Sequence, residues 1–193
     1  MNFLSSEYLS GIAYEKMRKF RLAKQRYRKA VEKDPTQFAH WVRKAELHYN
    51  LGETKNALDA YKSALAKKGL AQDSFVRGLI TQKMARCLYL LDRPKDADRT
   101  YLALYDQGVT FPLMDLEIWQ DTAIGIFNHH SIIKSATALL AVKFPADTPT
   151  KAARAFRRNQ YDLRYKSRVQ LGQRIAAQHD LSERNKLENT VGG

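Results

Sequence analysis

The sequence predicts an all-α fold: an α-solenoid of three to four antiparallel helix pairs followed by a long, basic C-terminal capping helix. Three observations predict it. Ala23, Tyr27, Ala30 and Val31 recur 34 positions later as Ala57, Tyr61, Ala64 and Leu65, and a fixed period of that length marks a helix–turn–helix array. The 193 residues hold only 9 glycines and 5 prolines, too few for a turn-rich all-β domain. Capping and turn signals fall between the apolar stretches, where a chain of helix pairs needs them.

The elements follow in order. A first pair, from about Leu4, carries Gly11, Tyr14, Ala23, Tyr27, Ala30 and Pro35. Alanines let two helices approach closely at their crossing, and the tyrosine one turn away fills the wider gap. Asp34-Pro35-Thr36-Gln37 supplies a capping acid, a proline suited to a first helical turn and a glutamine three residues after the cap. A second pair, from about Phe38, carries Trp41, Ala45, Ala57, Tyr61 and Ala64, with Gly52 in its turn and His48 in a packing position. A third, from about Gly78, carries Met84, Ala85, Ala97 and Tyr101, with Arg93-Pro94 in its turn and Leu104 in place of the last alanine. The 40-residue step from Ala57 to Ala97 places an insertion near Lys67 to Val76. A fourth pair, between Pro112 and Phe144, fits through Ala123, Phe127, Ala136 and Leu140. Ala146-Asp147-Thr148-Pro149 then caps a single helix over about 150–178, Ser182-Glu183 starts a short further turn, and 189–193 fray. The expected domains are a helical-repeat domain over 1–148 and a basic helix and tail over 149–193.

The pattern of Gly11, Tyr14, Ala23, Tyr27, Ala30 and Pro35, repeated at Trp41, Ala45, Ala57, Tyr61 and Ala64, resembles the tetratricopeptide repeat (TPR) family over about residues 4–144. The resemblance implies a right-handed superhelix whose concave side is lined by the first helix of each pair and binds a partner peptide or helix. It places Tyr8, Ile12, Glu15 and Lys16 on that groove in repeat one, and Val42, Arg43, Glu46, Tyr49 and Asn50 in repeat two. In repeat three it places Gln82, Lys83, Arg86, Tyr89 and Leu90 there. Tyrosines offer contact area at low entropic cost, and the lysine and arginines offer anion contacts. Ile12 and Glu46 stand where family members that clamp a C-terminal carboxylate carry asparagine, so no such clamp is expected.

Charge sharpens the partner question. The net charge of +13 divides into +6 over residues 1–33, +1 over 34–149 and +6 over 150–193. Arg154, Arg157, Arg158, Arg164 and Arg168 follow helical spacing beside Tyr161 and Tyr165, a basic face suited to an acidic polymer, nucleic acid or anionic membrane surface. An apolar stripe through Ala152, Phe156, Leu163, Val169, Gly172 and Ala176 is expected to dock that helix.

Catalysis is not expected. No phosphate-cradling glycine loop or nucleophile elbow occurs, and no two histidines stand four apart on a helix. The single cysteine, Cys87, excludes an internal disulfide and reads as a small buried side chain. Asp92, Asp96 and Asp98 suit a turn and a helix start, and Glu117 and Asp121 a solvated face. No metal or cofactor is expected, and the absence of a signal-peptide pattern or long apolar run points to the cytoplasm. The expected function is a non-catalytic adaptor for a protein partner. By analogy with the family, the alternative is an N-terminal docking module of a larger enzyme, such as a bacterial surface-polysaccharide (capsule) glycosyltransferase. Nucleic-acid or anionic-membrane binding through the basic segments stands third.

Overall fold

A computed structural model of the chain describes residues 5–70, 73–146 and 148–189. Met1 to Leu4, Asp147 of the expected cap and Thr190 to Gly193 of the expected frayed tail lie outside the described residues. The described residues form ten α-helices. They are α1 (Ser6–Lys16), α2 (Phe20–Lys33), α3 (Phe38–Asn50), α4 (Thr54–Leu65), α5 (Ser74–Leu90) and α6 (Pro94–Asp106). Then follow α7 (Leu113–Gly125), α8 (His129–Leu140), α9 (Thr150–Gln170) and α10 (Arg174–Asn189). The expected insertion is taken up by a short 3-10 turn, Lys68–Leu70, ahead of α5. The architecture is the all-α solenoid class that the sequence predicts.

Contacts gather the chain into two compact units, Met1–Asp96 and Ala97–Gly193. In the first, α1 packs on α2, α2 on α3, α3 on α4 and α4 on α5. In the second, α7 packs on α8, α8 on α9 and α9 on α10. Within each unit these successive helices bury faces on one another, the way a repeat array builds its core.

The same turn closes the first helix of five pairs. Arg18, Gly52, Asp92, Phe127 and Gly172 all take positive φ, between 54° and 73°. After each, the next N–H donates to a carbonyl five residues back: Lys19 to Tyr14, Glu53 to His48, Arg93 to Leu88, Asn128 to Ala123 and Gln173 to Arg168, at 2.8–2.9 Å. This is a Schellman closure of the first helix. Five residues beyond each turn stands a buried side chain that seats the second helix: Ala23, Ala57, Ala97, Ile132 and Ala177.

The recurrence corrects two expectations. The helix expected over 150–178 is two helices, because Gly172 adopts φ 71° and ends α9, and α10 turns back along it. Val169, in the last turn of α9, and Gly172, in the turn after it, are therefore exposed rather than part of a docking stripe. Phe127, expected as a packing aromatic of the fourth pair, is the turn residue and is 79% exposed. The fully buried aromatic of α7 is Trp119.

A β-carbon in the left-handed region costs about 1–2 kcal/mol. Phe127 buries little that would offset it. Phe127→Gly is expected to raise stability by about 0.5–1 kcal/mol, after allowing for the freer unfolded glycine. Urea unfolding followed by circular dichroism measures it, and a loss of stability would show that the Phe127 ring contributes to packing.

In the first unit the core of repeat one is Ala23, Tyr27 and Leu47, with Tyr8, Ile12, Tyr14 and Leu51 against it. Gly11 belongs to this contact. A β-carbon there would lie 2.4 Å from the Tyr27 ring, so only glycine lets α1 approach α2 this closely.

Candidate functional site

The first helices of repeats two and three meet through a line of charged and polar side chains. It starts at Glu15 near the end of α1, which accepts the Tyr27 hydroxyl at 2.7 Å. Burial, then that carboxylate, hold the Tyr27 phenol above its ordinary pKa. Arg43 on α3 donates through Nε to the Tyr27 oxygen at 3.3 Å and lies 3.4 Å from Glu15. Burial opposes the charge on Arg43, but Tyr27, Glu15 and Glu46 more than offset it and hold the guanidinium charged. Arg43 Nη1 reaches Glu46 Oε2 at 3.1 Å, and Lys83 on α5 pairs with the other oxygen of Glu46. The Glu46–Lys83 pair links repeat two to repeat three across 37 residues of chain.

Around this pair lies a cleft of about 330 Å³ lined by Arg43, Glu46, Tyr49, Asn50, Tyr61, Lys83 and Arg86. Helical spacing explains it: Arg43, Glu46 and Asn50 stand three and four apart on one face of α3, as do Lys83 and Arg86 on α5. Three cations face one carboxylate, so the cleft is cationic overall. Tyr61 on α4 forms its base, its phenol raised in pKa by burial.

Six of the groove residues expected from the sequence thus come together. The others do not line this cleft. Tyr8 and Ile12 pack on the repeat-one core, with the Tyr8 ring 5.3 Å from His40. Lys16 is exposed at the end of α1, Val42 and Tyr89 are half-buried, and Gln82 is buried at 4% exposure. Tyr61 joins the site although the groove was expected from first helices alone. His48 points to the opposite flank of α3, with Nδ1 2.5 Å from Glu53. Cys87 is fully buried, and burial pushes its thiol up to about 11, which makes it a poor nucleophile.

In the second unit the five arginines of the expected basic face have separate surroundings. Arg164 and Arg168 converge on the buried Asp180, at 2.5 and 2.8 Å. Arg158 lies 3.2 Å from Glu188, and the Arg157 guanidinium sits 5.9 Å from the Phe144 ring centroid. Arg154 and Arg158 border an open cleft of about 790 Å³ with Lys151 and Leu187. The face expected as a continuous anion-binding strip is therefore partly folded into the α9–α10 hairpin. One acid of α6 also differs from expectation: Asp98 is buried and accepts Trp119 Nε1 at 2.9 Å and Asn128 Nδ2 at 2.7 Å. Among the described residues no group of three or more His, Cys, Asp or Glu is placed to hold a metal ion, and no helix is long and apolar enough to cross a membrane.

A family model described as tetratricopeptide repeat matches residues 5–36, which span α1, the first Schellman turn and α2. No curated protein matches the chain. Among solved structures, a crystal structure of MamA is similar over 98% of this chain and 98% of its own, with a TM-score of 0.61 and 10% identity. A structure of TPR-like repeats from a Podosopora anserina kinesin light chain is similar over 96% of this chain and 94% of its own, with a TM-score of 0.52 and 14% identity. At such identities the likeness is one of fold. The molecule is an all-α helical-repeat protein. The tetratricopeptide match itself is confined to the first repeat, residues 5–36.

Proposed function

We propose that this protein is a non-catalytic interaction scaffold that holds a segment of a partner protein, peptide or helix, in the groove of its first unit. The observation that carries the proposal is the cleft at Glu46. Cations from two successive repeats, Arg43, Lys83 and Arg86, converge there with Tyr49, Asn50 and Tyr61. Arg and Tyr dominate the energetics of protein interfaces, because both bury large area while keeping a polar tip paired. The Glu15–Tyr27–Arg43–Glu46–Lys83 line holds the charged heads in place before a partner arrives, which lowers the ordering cost of binding. Tetratricopeptide repeats are in general protein-interaction scaffolds, which supports this reading.

The test is quantitative capture. Partners crosslinked to the intact protein in its native cells are identified, and their affinity is measured for variants. Tyr49→Ala and Arg86→Glu are each expected to weaken capture by about 30-fold, the ~2 kcal/mol of an interface hot spot. Circular dichroism and unfolding midpoint should stay unchanged. Capture that survives both substitutions would place the partner outside the groove.

A further inference from the structure

The first unit carries a second cleft, on the flank of α3 that faces away from the groove. At 100° per residue, Trp41, Lys44 and His48 fall roughly opposite Arg43, Glu46 and Asn50. On that flank α2 and α4 form the walls of a cleft of about 410 Å³, with Trp41, Lys44 and His48 along its floor. We propose that this outer cleft is a docking site for an acidic peptide segment of a partner, independent of the groove.

Charge is the first argument. Lys24, Arg28 and Lys44 line the cleft against one carboxylate, Asp59. Lys24 shares its charge with Glu53 at 2.6 Å. Arg28 and Lys44 have more to offer. The Arg28 contact to Glu32 is 3.4 Å long between side chains that are 66% and 63% exposed, a geometry of little strength. Lys44 is placed by the indole of Trp41, its ammonium 5.3 Å from the ring centroid, and Lys67 adds a second ammonium at 4.9 Å.

Shape and rigidity are the second. Trp41 to His48 spans seven residues of helix, or about 10 Å, room for about three residues of extended peptide. Gln25 and Asn56 offer side-chain amides from facing walls, and Ala60 keeps the floor low. The walls are tied together, because Glu53 at the start of α4 accepts Lys24 of α2 and meets His48 of α3. Lys24 and then His48 hold the Glu53 carboxyl down at about 2, so the tie persists well into acid.

The same features disfavour nucleic acid. Base recognition in a basic groove relies on open aromatic faces. Here the single indole has two ammonium groups over its ring, and its Nε1 is committed to the Pro35 carbonyl at 2.9 Å.

The chain has two tryptophans. Trp119 is fully buried and Trp41 only partly so, which makes acrylamide quenching a reporter of Trp41. An octaglutamate peptide titrated at low ionic strength is expected to shield Trp41 from quenching. Lys44→Glu and Arg28→Glu should each weaken that peptide by about tenfold or more with unchanged circular dichroism. Arg86→Glu, in the groove, should leave its affinity within about twofold, so loss of this proposal and loss of the groove reading are distinguishable. The proposal is overturned if the peptide leaves Trp41 quenching unchanged. It is equally overturned if Arg86→Glu costs as much as Lys44→Glu and Arg28→Glu, or if an octanucleotide RNA protects Trp41 as well as the peptide does.

Discussion

Asp180→Ala is expected to destabilise the second unit by about 3–5 kcal/mol, the usual cost of removing one partner from a buried ion pair. Asp180 has no exposed surface, and its two oxygens receive Arg164 Nη2 at 2.5 Å and Arg168 Nη1 at 2.8 Å. The guanidiniums are themselves well covered, at 12% and 18% exposure. Without the carboxylate, two like charges face each other across a gap with little water. Arg168 also donates to the Ala176 carbonyl at 2.9 Å, so its displacement would disturb the first turn of α10. Asp180→Asn keeps one acceptor oxygen and the volume, and is expected to fall between wild type and Asp180→Ala. Urea unfolding monitored by circular dichroism measures both. A cost below about 1 kcal/mol for Asp180→Ala would mean that the arginines hydrate freely and that apolar contacts alone hold the hairpin.

This carboxylate also shows where sequence reasoning stops. Asp180 lies 16 and 12 residues from its two arginines, so the three meet only if the chain reverses between them. The signal for reversal was present: Gly172 precedes Ala177 by the same five residues that separate Gly52 from Ala57. It was masked because the next positions changed. Tyr27, Tyr61 and Tyr101 are followed, at the equivalent place in α10, by Leu181, and Ala30 and Ala64 by Arg184. The first three pairs were legible because close helix crossings demand small residues and the gap beside them demands a large one. Phe127 misled for a related reason: an aromatic is read as core by composition, whereas φ is invisible until the turn is built. In the groove, the family resemblance placed Arg43, Glu46, Lys83 and Arg86 on the concave side. The Glu46–Lys83 pair and the arrival of Tyr61 depend on how repeat two stacks on repeat three, which no local pattern encodes.

Trp119→Ala is expected to be similarly costly, at about 3–5 kcal/mol for the lost volume, with a further ~1–3 kcal/mol if Asp98 is left short of a donor. Trp119 is fully buried, and the rings of Tyr105, Phe111 and Tyr101 lie at 5.4, 6.0 and 6.3 Å from it. Its Nε1 donates to Asp98 Oδ1 at 2.9 Å, while Asn128 donates to Oδ2 at 2.7 Å. Asn128 also caps α8, its side chain accepting from Ser131 N. The indole thus joins an aromatic cluster to the polar contact that fixes the α7–α8 turn. Trp119→Phe separates the two roles, since it keeps most of the ring contact and deletes the donor. If Trp119→Phe is as stable as wild type, packing accounts for the whole effect. If it loses about 1–3 kcal/mol, the buried Asp98 carboxylate needs that donor. In that case Asp98→Asn combined with Trp119→Phe should recover part of the loss, because a neutral amide left without its indole partner costs less to bury than a charge.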